Sequence, residues 1–200
     1  MYAHPRVPNR YSTDTPLKGC LVLVVGPSGV DKDSLIDGAR ALLDGDGFVF
    51  PQREITRPAD AGGESHVAVT ESQFHARREL GGYLLSWGAH GLWYGIPTEV
   101  AADLGEGRTV VVNASRTMIG EARDRFANLR IVSVNAADET LRARLAARAR
   151  EDQAEVDRRL ERARAFRVEG EDVIPFSNDG ALDEALERFA DMLRSCADRP

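Results

Sequence analysis

The sequence predicts an α/β domain in which a parallel sheet of about five strands is layered between helices, with a small mixed β insertion. Three observations carry this. Apolar, largely β-branched runs at Cys20–Val25, Thr109–Val112, Arg130–Val134 and Val173–Phe176 have the texture of strands buried on both faces. Helical patterns separate them, at about Met118–Ala127, Asp138–Arg150 and Ala181–Cys196, and such alternation implies right-handed crossovers. The first run passes through Gly26-Pro27-Ser28-Gly29 into a helical pattern that continues through Leu43.

Taken in order, residues 1–17 are rich in proline and polar side chains without periodicity and read as a mobile arm, leaving 18–200 as one domain. Cys20–Val25 reads as the first strand, buried on both faces. The helix after it places Leu35, Ile36, Ala39, Leu42 and Leu43 on one side. The texture then changes over about 55–96. Short strand-like pieces (His66–Val69, Tyr83–Trp87, Leu92–Ile96) sit among glycines, with a small helix near Glu71–Glu79, and read as an insertion over the mouth of the sheet. The remaining three strands and helices complete the alternation.

Composition sets limits on function. A chain of 200 residues can bury about 70% of its unfolded surface in one core. The net charge of −6 argues against a general nucleic-acid surface, so any polyanion must meet local clusters of Arg and Lys. No apolar run approaches the ~18 residues of a membrane span, and the N-terminus has no apolar signal core, so no membrane partner and a cytoplasmic setting are expected. Cys20 and Cys196 are then expected to be two reduced thiols rather than a disulfide.

The segment Gly26-Pro27-Ser28-Gly29-Val30-Asp31-Lys32-Asp33-Ser34, between a buried strand and a helix, has the pattern of a phosphate-binding loop, or P-loop. Its backbone N–H groups and the helix N-terminus would cradle phosphates, and Lys32, at an exposed helix start, would reach the β- and γ-phosphates of ATP. A ligand-free glycine turn is the alternative. Two positions depart from the pattern. Asp33 stands where Ser or Thr would hold Mg²⁺, with Ser34 one place later; a carboxylate is also a good Mg²⁺ ligand. Asp31 stands where glycine is required. A carboxylate ~4 Å from a phosphate charge would cost about 4 kcal/mol at an effective dielectric of 20. Asp31 therefore points away, or is offset by Lys32 and metal, or weakens nucleotide binding. Asp31→Gly is expected to strengthen ATP binding and raise kcat/KM for ATP.

GPSG…KDSL, then ITRP…GESH, LSWGAHGLWYGIP and VVVNASR, in this order, resemble the ribose 1,5-bisphosphate phosphokinases of bacterial phosphonate catabolism, within the guanylate-kinase-like group. The resemblance runs from about Gly19 to Leu193. It implies a three-layer P-loop fold, and transfer of the ATP γ-phosphate to the 1-phosphate of ribose 1,5-bisphosphate, giving 5-phosphoribosyl 1-diphosphate. It also implies that Thr56, Arg57, Glu64, His66 and Tyr94 line the acceptor pocket, where Arg57 would grip a phosphate. Thr56 and Arg57 are expected to follow the second strand, facing the phosphate loop across the cleft; without the resemblance, Arg57 reads as a surface arginine before Pro58, and His66 and Tyr94 as packing. Guanylate kinases carry a Glu that reads guanine at the position of Ser86 here, and an acidic group where this chain has Asn113-Ala114-Ser115-Arg116. Without those carboxylates GMP is expected to be a poor acceptor. Ser86, Asn113 and Ser115 suit sugar hydroxyls, and Arg116 another phosphate.

From Leu141 to Arg167 the chain carries nine arginines. Most read as a salt-bridged, solvated helix pair. By resemblance Arg144, Arg148 and Arg159 belong to a lid over about 144–166 that closes on the adenine and the transferring phosphoryl group. Asn178, before Asp179-Gly180, resembles an adenine-side turn, and by itself reads as an Asx turn capping the last helix. The expected machinery is thus Lys32, Arg57, Arg148 and Arg159 at the reacting phosphates, with ATP, Mg²⁺ and a small sugar phosphate as ligands and a homodimer left open. A P-loop module with little catalysis, and a kinase of another small phosphorylated acceptor, remain the alternatives.

Overall fold

The computed structural model describes residues 17–61, 64–147, 157–158, 160–161 and 167–197. The expected arm lies outside the described residues except for Leu17, as do the lid arginines Arg148 and Arg159. The chain forms β1 (Leu21–Val25), α1 (Lys32–Leu42), β2 (Phe48–Val49), β3 (Glu54–Ile55), β4 (Val67–Ala68), α2 (Glu71–Glu79), β5 (Tyr83–Ala89) and β6 (Leu92–Pro97). It continues with α3 (Val100–Gly105), β7 (Thr109–Asn113), a 3₁₀ turn (Arg116–Met118) leading into α4 (Ile119–Arg125), β8 (Leu129–Asn135), α5 (Asp138–Ala147), β9 (Val173–Ser177) and α6 (Leu182–Ala197).

Five strands make one parallel sheet in the order β2-β7-β1-β8-β9, with β1 at its centre. Both faces of that sheet are covered, which is why every residue of β1 is buried. Alternate side chains feed two cores. Val22, Val24, Val111, Val132 and Val134 pack with Leu35, Ala39 and Leu43 and with Phe189, Leu193 and Cys196 of α6. Leu21, Leu23, Val25, Val110, Val112 and Ile131 pack with Leu104, Met118 and Ile119, and with Leu85, Trp87 and Ile96 of the insertion. The insertion is therefore fused to the sheet through apolar packing.

The insertion forms a second, mixed sheet in the order β4-β3-β6-β5, with β3 parallel to β4 and antiparallel to β6. Its β5–β6 hairpin turns on His90 and Gly91, both at positive φ (53° and 74°), as a two-residue type I′ turn demands. Helix α2 is held to the sheet by Arg77, which pairs with buried Glu54 at 2.7 Å and with Glu99 at 2.6 Å, while the Tyr83 hydroxyl donates to Glu54 at 2.5 Å.

Two expectations needed correcting, and one element was new. Leu42 is 40% exposed, because α1 ends there and Leu43, the C-cap, turns into the core instead. Thr56 and Arg57 follow β3 of the small sheet; the second strand of the main sheet is the two-residue edge strand β2. Helix α3 was not foreseen. Cys20 and Cys196 are both buried and outside any disulfide, as expected, and burial pushes the Cys20 thiol up to about 11.

Candidate active site

The phosphate loop rises from the C-terminal end of β1. Gly26 packs so closely on β8 that a Cβ there would lie 2.4 Å from the Val134 carbonyl oxygen, so no other residue fits. Gly29 and Asp31 take positive φ, 94° and 56°. The motif's glycine would adopt the left-handed conformation at no cost, and aspartate is among the few side chains that tolerate it. Asp31 thus keeps the backbone shape of the loop and accepts the first helical bond, from Leu35 N–H at 3.1 Å. Its carboxylate does not cap α1; its Oδ2 lies 3.1 Å from Nε of Arg144 on α5. The carboxylate is turned to a guanidinium. Arg144 Nη1 is buried and has no hydrogen-bond partner among the described residues.

Lys32 is half-buried rather than exposed, and donates from Nζ to the Gly26 and Pro27 carbonyls at 2.9 and 3.0 Å. Burial lowers its ammonium to about 8, Asp33 opposes the shift, Arg53 and Arg116 add to it, and Glu64 opposes it weakly. Those four groups bring loop and insertion into one electrostatic neighbourhood. Asp33 Oδ1 accepts from Asn113 Nδ2 at 2.6 Å, so the end of β7 fixes the carboxylate at the mouth of the loop. Ser34 is exposed, a further ~100° round the helix. Among the described residues no group of three or more His, Cys, Asp or Glu gathers to hold a metal by itself. Mg²⁺ carried by nucleotide phosphates needs only one or two protein oxygens, and Asp33 supplies such a donor.

Asn178 is fully buried. Its Nδ2 donates to the Val30 carbonyl at 2.8 Å and its N–H to the Asn135 carbonyl at 2.8 Å, so it braces the phosphate loop and does not cap α6. Its Oδ1 has no hydrogen-bond partner among the described residues. The neighbouring Asp179 ties this turn to the start of α5, accepting from Ser177 Oγ at 2.7 Å and Ala137 N–H at 2.8 Å.

On the acceptor side the structure adds a residue that sequence reading missed. Arg53 is 8% exposed, lies over the rings of Trp87 and Tyr94 (5.8 and 5.4 Å to the centroids), pairs with Glu64, and donates to the Asn113 carbonyl at 3.0 Å. An arginine just before Glu54-Ile55 was the signal available. Arg57 stands beside it, with Nη2 3.3 Å from His66 Nδ1 and 4.0 Å from Glu64 Oε1, and its buried Nε has no hydrogen-bond partner among the described residues. His66 Nε2 lies 3.1 Å from the Arg57 carbonyl. Its Nδ1 lies 3.0 Å from the Glu64 carbonyl, so each ring nitrogen faces a backbone acceptor. Burial pushes the Tyr94 hydroxyl up.

Thr56 Oγ1 accepts from Trp93 N–H at 2.9 Å, and Ser115 Oγ accepts from Thr117 N–H at 3.3 Å as cap of the 3₁₀ turn. Both hydroxyls are thus tied to backbone. Ser86 is half-buried on β5 opposite Gly95. Arg116 begins the 3₁₀ turn, and burial lowers the proton affinity of its guanidinium. Far from this cluster, where β8 begins, a cleft of 430 Å³ is lined by Arg123, Arg130 and Asp172 among others; Asp172 already holds Arg123 there through two hydrogen bonds of 2.7 and 2.9 Å.

No protein-family model matches the chain. It is 45% identical over 186 residues to the ribose 1,5-bisphosphate phosphokinase PhnN of Acidiphilium cryptum, an alignment covering 92% of this chain and 98% of that one. It is 44% identical over 187 residues to the bifunctional ribose 1,5-bisphosphokinase-thymidine phosphorylase of Cupriavidus necator, covering 91% of this chain and 31% of that protein. The chain spans about a third of the length of the bifunctional relatives it matches. Guanylate kinase from Anaplasma phagocytophilum shares the fold, with a TM-score of 0.63 at 16% identity over 92% of this chain and 89% of that one. Near-full-length identity to single-domain relatives, on a guanylate-kinase-like frame, decides the matter: the chain belongs to the ribose 1,5-bisphosphate phosphokinase (PhnN) family.

Proposed function

We propose that this chain transfers the γ-phosphate of ATP to the 1-phosphate of ribose 1,5-bisphosphate, giving 5-phosphoribosyl 1-diphosphate and ADP, as a cytoplasmic step of phosphonate catabolism. Family membership supports the reaction. The observation that carries it to this site is the double engagement of Asn113, whose side chain holds Asp33 of the loop helix while its carbonyl holds Arg53 of the insertion. One residue joins the nucleotide side to the acceptor side.

Phosphoryl transfer asks the protein for alignment, charge neutralisation and exclusion of water rather than covalent help. Lys32 exchanges its bonds to the Gly26 and Pro27 carbonyls for β- and γ-phosphate oxygens. Asp33 would hold Mg²⁺, which supplies neutralisation of the phosphate charge. Arg57, with an unengaged Nε–H, binds an acceptor phosphate, and Arg53 keeps Glu64 and Tyr94 in place around it. Arg116 contributes positive charge from the other wall. Ser86, which carries no charge, leaves a guanine ring without an anionic partner and favours a sugar.

ADP release coupled to a reporter enzyme, over ribose 1,5-bisphosphate, ribose 5-phosphate and GMP, tests this. Turnover is expected with the bisphosphate, with kcat/KM at least about a hundredfold above GMP, on the scale of a lost hydrogen-bonding set. Equal use of GMP would overturn the pocket reading.

A further inference from the structure

Of the two carboxylates in the phosphate loop, Asp33 is the proposed Mg²⁺ donor and Asp31 opposes a phosphate with no such task, and the loop is otherwise well formed. Its φ of 56° keeps the glycine-like turn, Gly26 keeps its close approach to β8, and Asn178 braces Val30 from behind. What differs from a standard loop is a negative charge at the start of α1. A positive charge comes to meet it from another element: Arg144, in the last turn of α5, places Nε 3.1 Å from Asp31 Oδ2. The two side chains are 21% and 22% exposed, partly withdrawn from solvent, where an ion pair is screened less than on an open surface.

We infer that Arg144 serves as the counter-ion of Asp31. It is a positioning residue that turns and neutralises the loop carboxylate, so that a phosphate loop lacking its glycine still accepts an anion. This rests on the ATP-kinase reading and assigns Arg144 a different task from that of a lid arginine acting on the nucleotide itself. It also removes the reason to expect a large gain from Asp31→Gly, since the charge to be removed is already compensated. The two sites make a matched pair: either both charges are present, or neither is needed.

Four proteins decide it: wild type, Asp31→Gly, Arg144→Gln and the double variant. Glycine suits the positive φ at position 31, so the loop backbone survives the change. Calorimetric titration with ATP·Mg²⁺ at fixed ionic strength should show Arg144→Gln binding about tenfold more weakly than wild type, the scale of one counter-charge lost beside an anion. Asp31→Gly should bind within about twofold of wild type, and the double variant should return to that level. Arg144→Lys, which keeps the charge, should recover most of the loss. KM for ATP should follow the affinities, while KM for the acceptor stays unchanged. An equal loss from Arg144→Gln in the wild-type and Asp31→Gly backgrounds would overturn the inference, for it would mean that Arg144 touches the nucleotide directly, through its unengaged Nη1. Melting temperatures of the same four proteins without nucleotide read the pair independently, with an expected coupling of about 2 °C. If wild type binds no ATP the kinase reading fails, and absence of this coupling overturns the inference separately.

Discussion

Asn113 Nδ2 donates to Asp33 Oδ1 at 2.6 Å, across the gap between the end of β7 and the first turn of α1. The same residue accepts Arg53 Nη1 at its carbonyl, so the carboxylate proposed for Mg²⁺ and the arginine of the acceptor pocket are referenced to one point of backbone. Asn113→Ala should therefore lower kcat/KM for ATP by about 10- to 100-fold, the usual cost of losing a group that orients a metal ligand. The concentration of Mg²⁺ giving half-maximal rate should rise with it. An unchanged Mg²⁺ dependence would detach Asp33 from metal binding.

Lys32→Ala should abolish measurable turnover and leave the melting temperature within a few degrees of wild type. The ammonium is half-buried and charged at a cost, so its removal takes away phosphate binding but little packing. Circular dichroism melting together with ADP release checks both halves. A variant near the wild-type rate would contradict the phosphate-loop assignment.

The lowered Lys32 value of about 8 predicts a pH signature. Anionic phosphates favour the protonated amine, so ATP binding takes up a proton once the pH exceeds about 8. Affinity should be flat below that point and fall toward a limiting tenfold per pH unit above it. For stability the sign is the reverse of an ion-pairing lysine. The folded value lies below the unfolded 10.5, the unfolded chain binds more protons between about 8 and 10.5, and this group's contribution to stability rises with pH across that window. Titrations in two buffers of different ionisation enthalpy at about pH 8.5 would count the proton, and Lys32→Ala should lose the dependence.

Arg53→Met should leave the half-buried Glu64 with only the more distant Arg57, 4.0 Å away, as counter-charge. Breaking such a pair costs about 3 kcal/mol, or roughly 6–12 °C in melting temperature for a domain of this size. Acceptor KM should rise well beyond ATP KM, because Tyr94 and Glu64 lose the guanidinium between them. Pairing the change with Glu64→Gln should restore most of the stability but not the acceptor KM, which separates the pocket role from the structural one.

The parallel core was legible because strands buried on both faces must be continuously apolar, and Cys20–Val25 and Thr109–Val112 have no other reason to be so. Helix α3 escaped because Val100–Gly105 is less than two turns long, too short for a helical stripe to show. The phosphate loop was legible as a local string whose spacing is its chemistry. Arg53 was not, since its significance comes from Glu64, Tyr94 and an Asn113 carbonyl 60 residues away. For the same reason the direction of the Asp31 carboxylate had to wait for Arg144, which reaches it from a helix more than a hundred positions later.

The two buried thiols make the folded protein its own stopwatch. The Cys20 thiol, pushed up to about 11, offers almost no thiolate to an alkylating reagent at neutral pH, and Cys196 is likewise shut away from solvent. Each adduct formed then records one excursion in which the chain opened. Cys20 sits beside the central strand and Cys196 one residue from the end of α6, so the first marks collapse of the whole sheet and the second also marks fraying of the terminal turn. Mass spectrometry of peptides labelled over a time course would separate the two clocks in a single sample, and saturating ATP should slow the Cys20 clock by the factor its binding adds to stability.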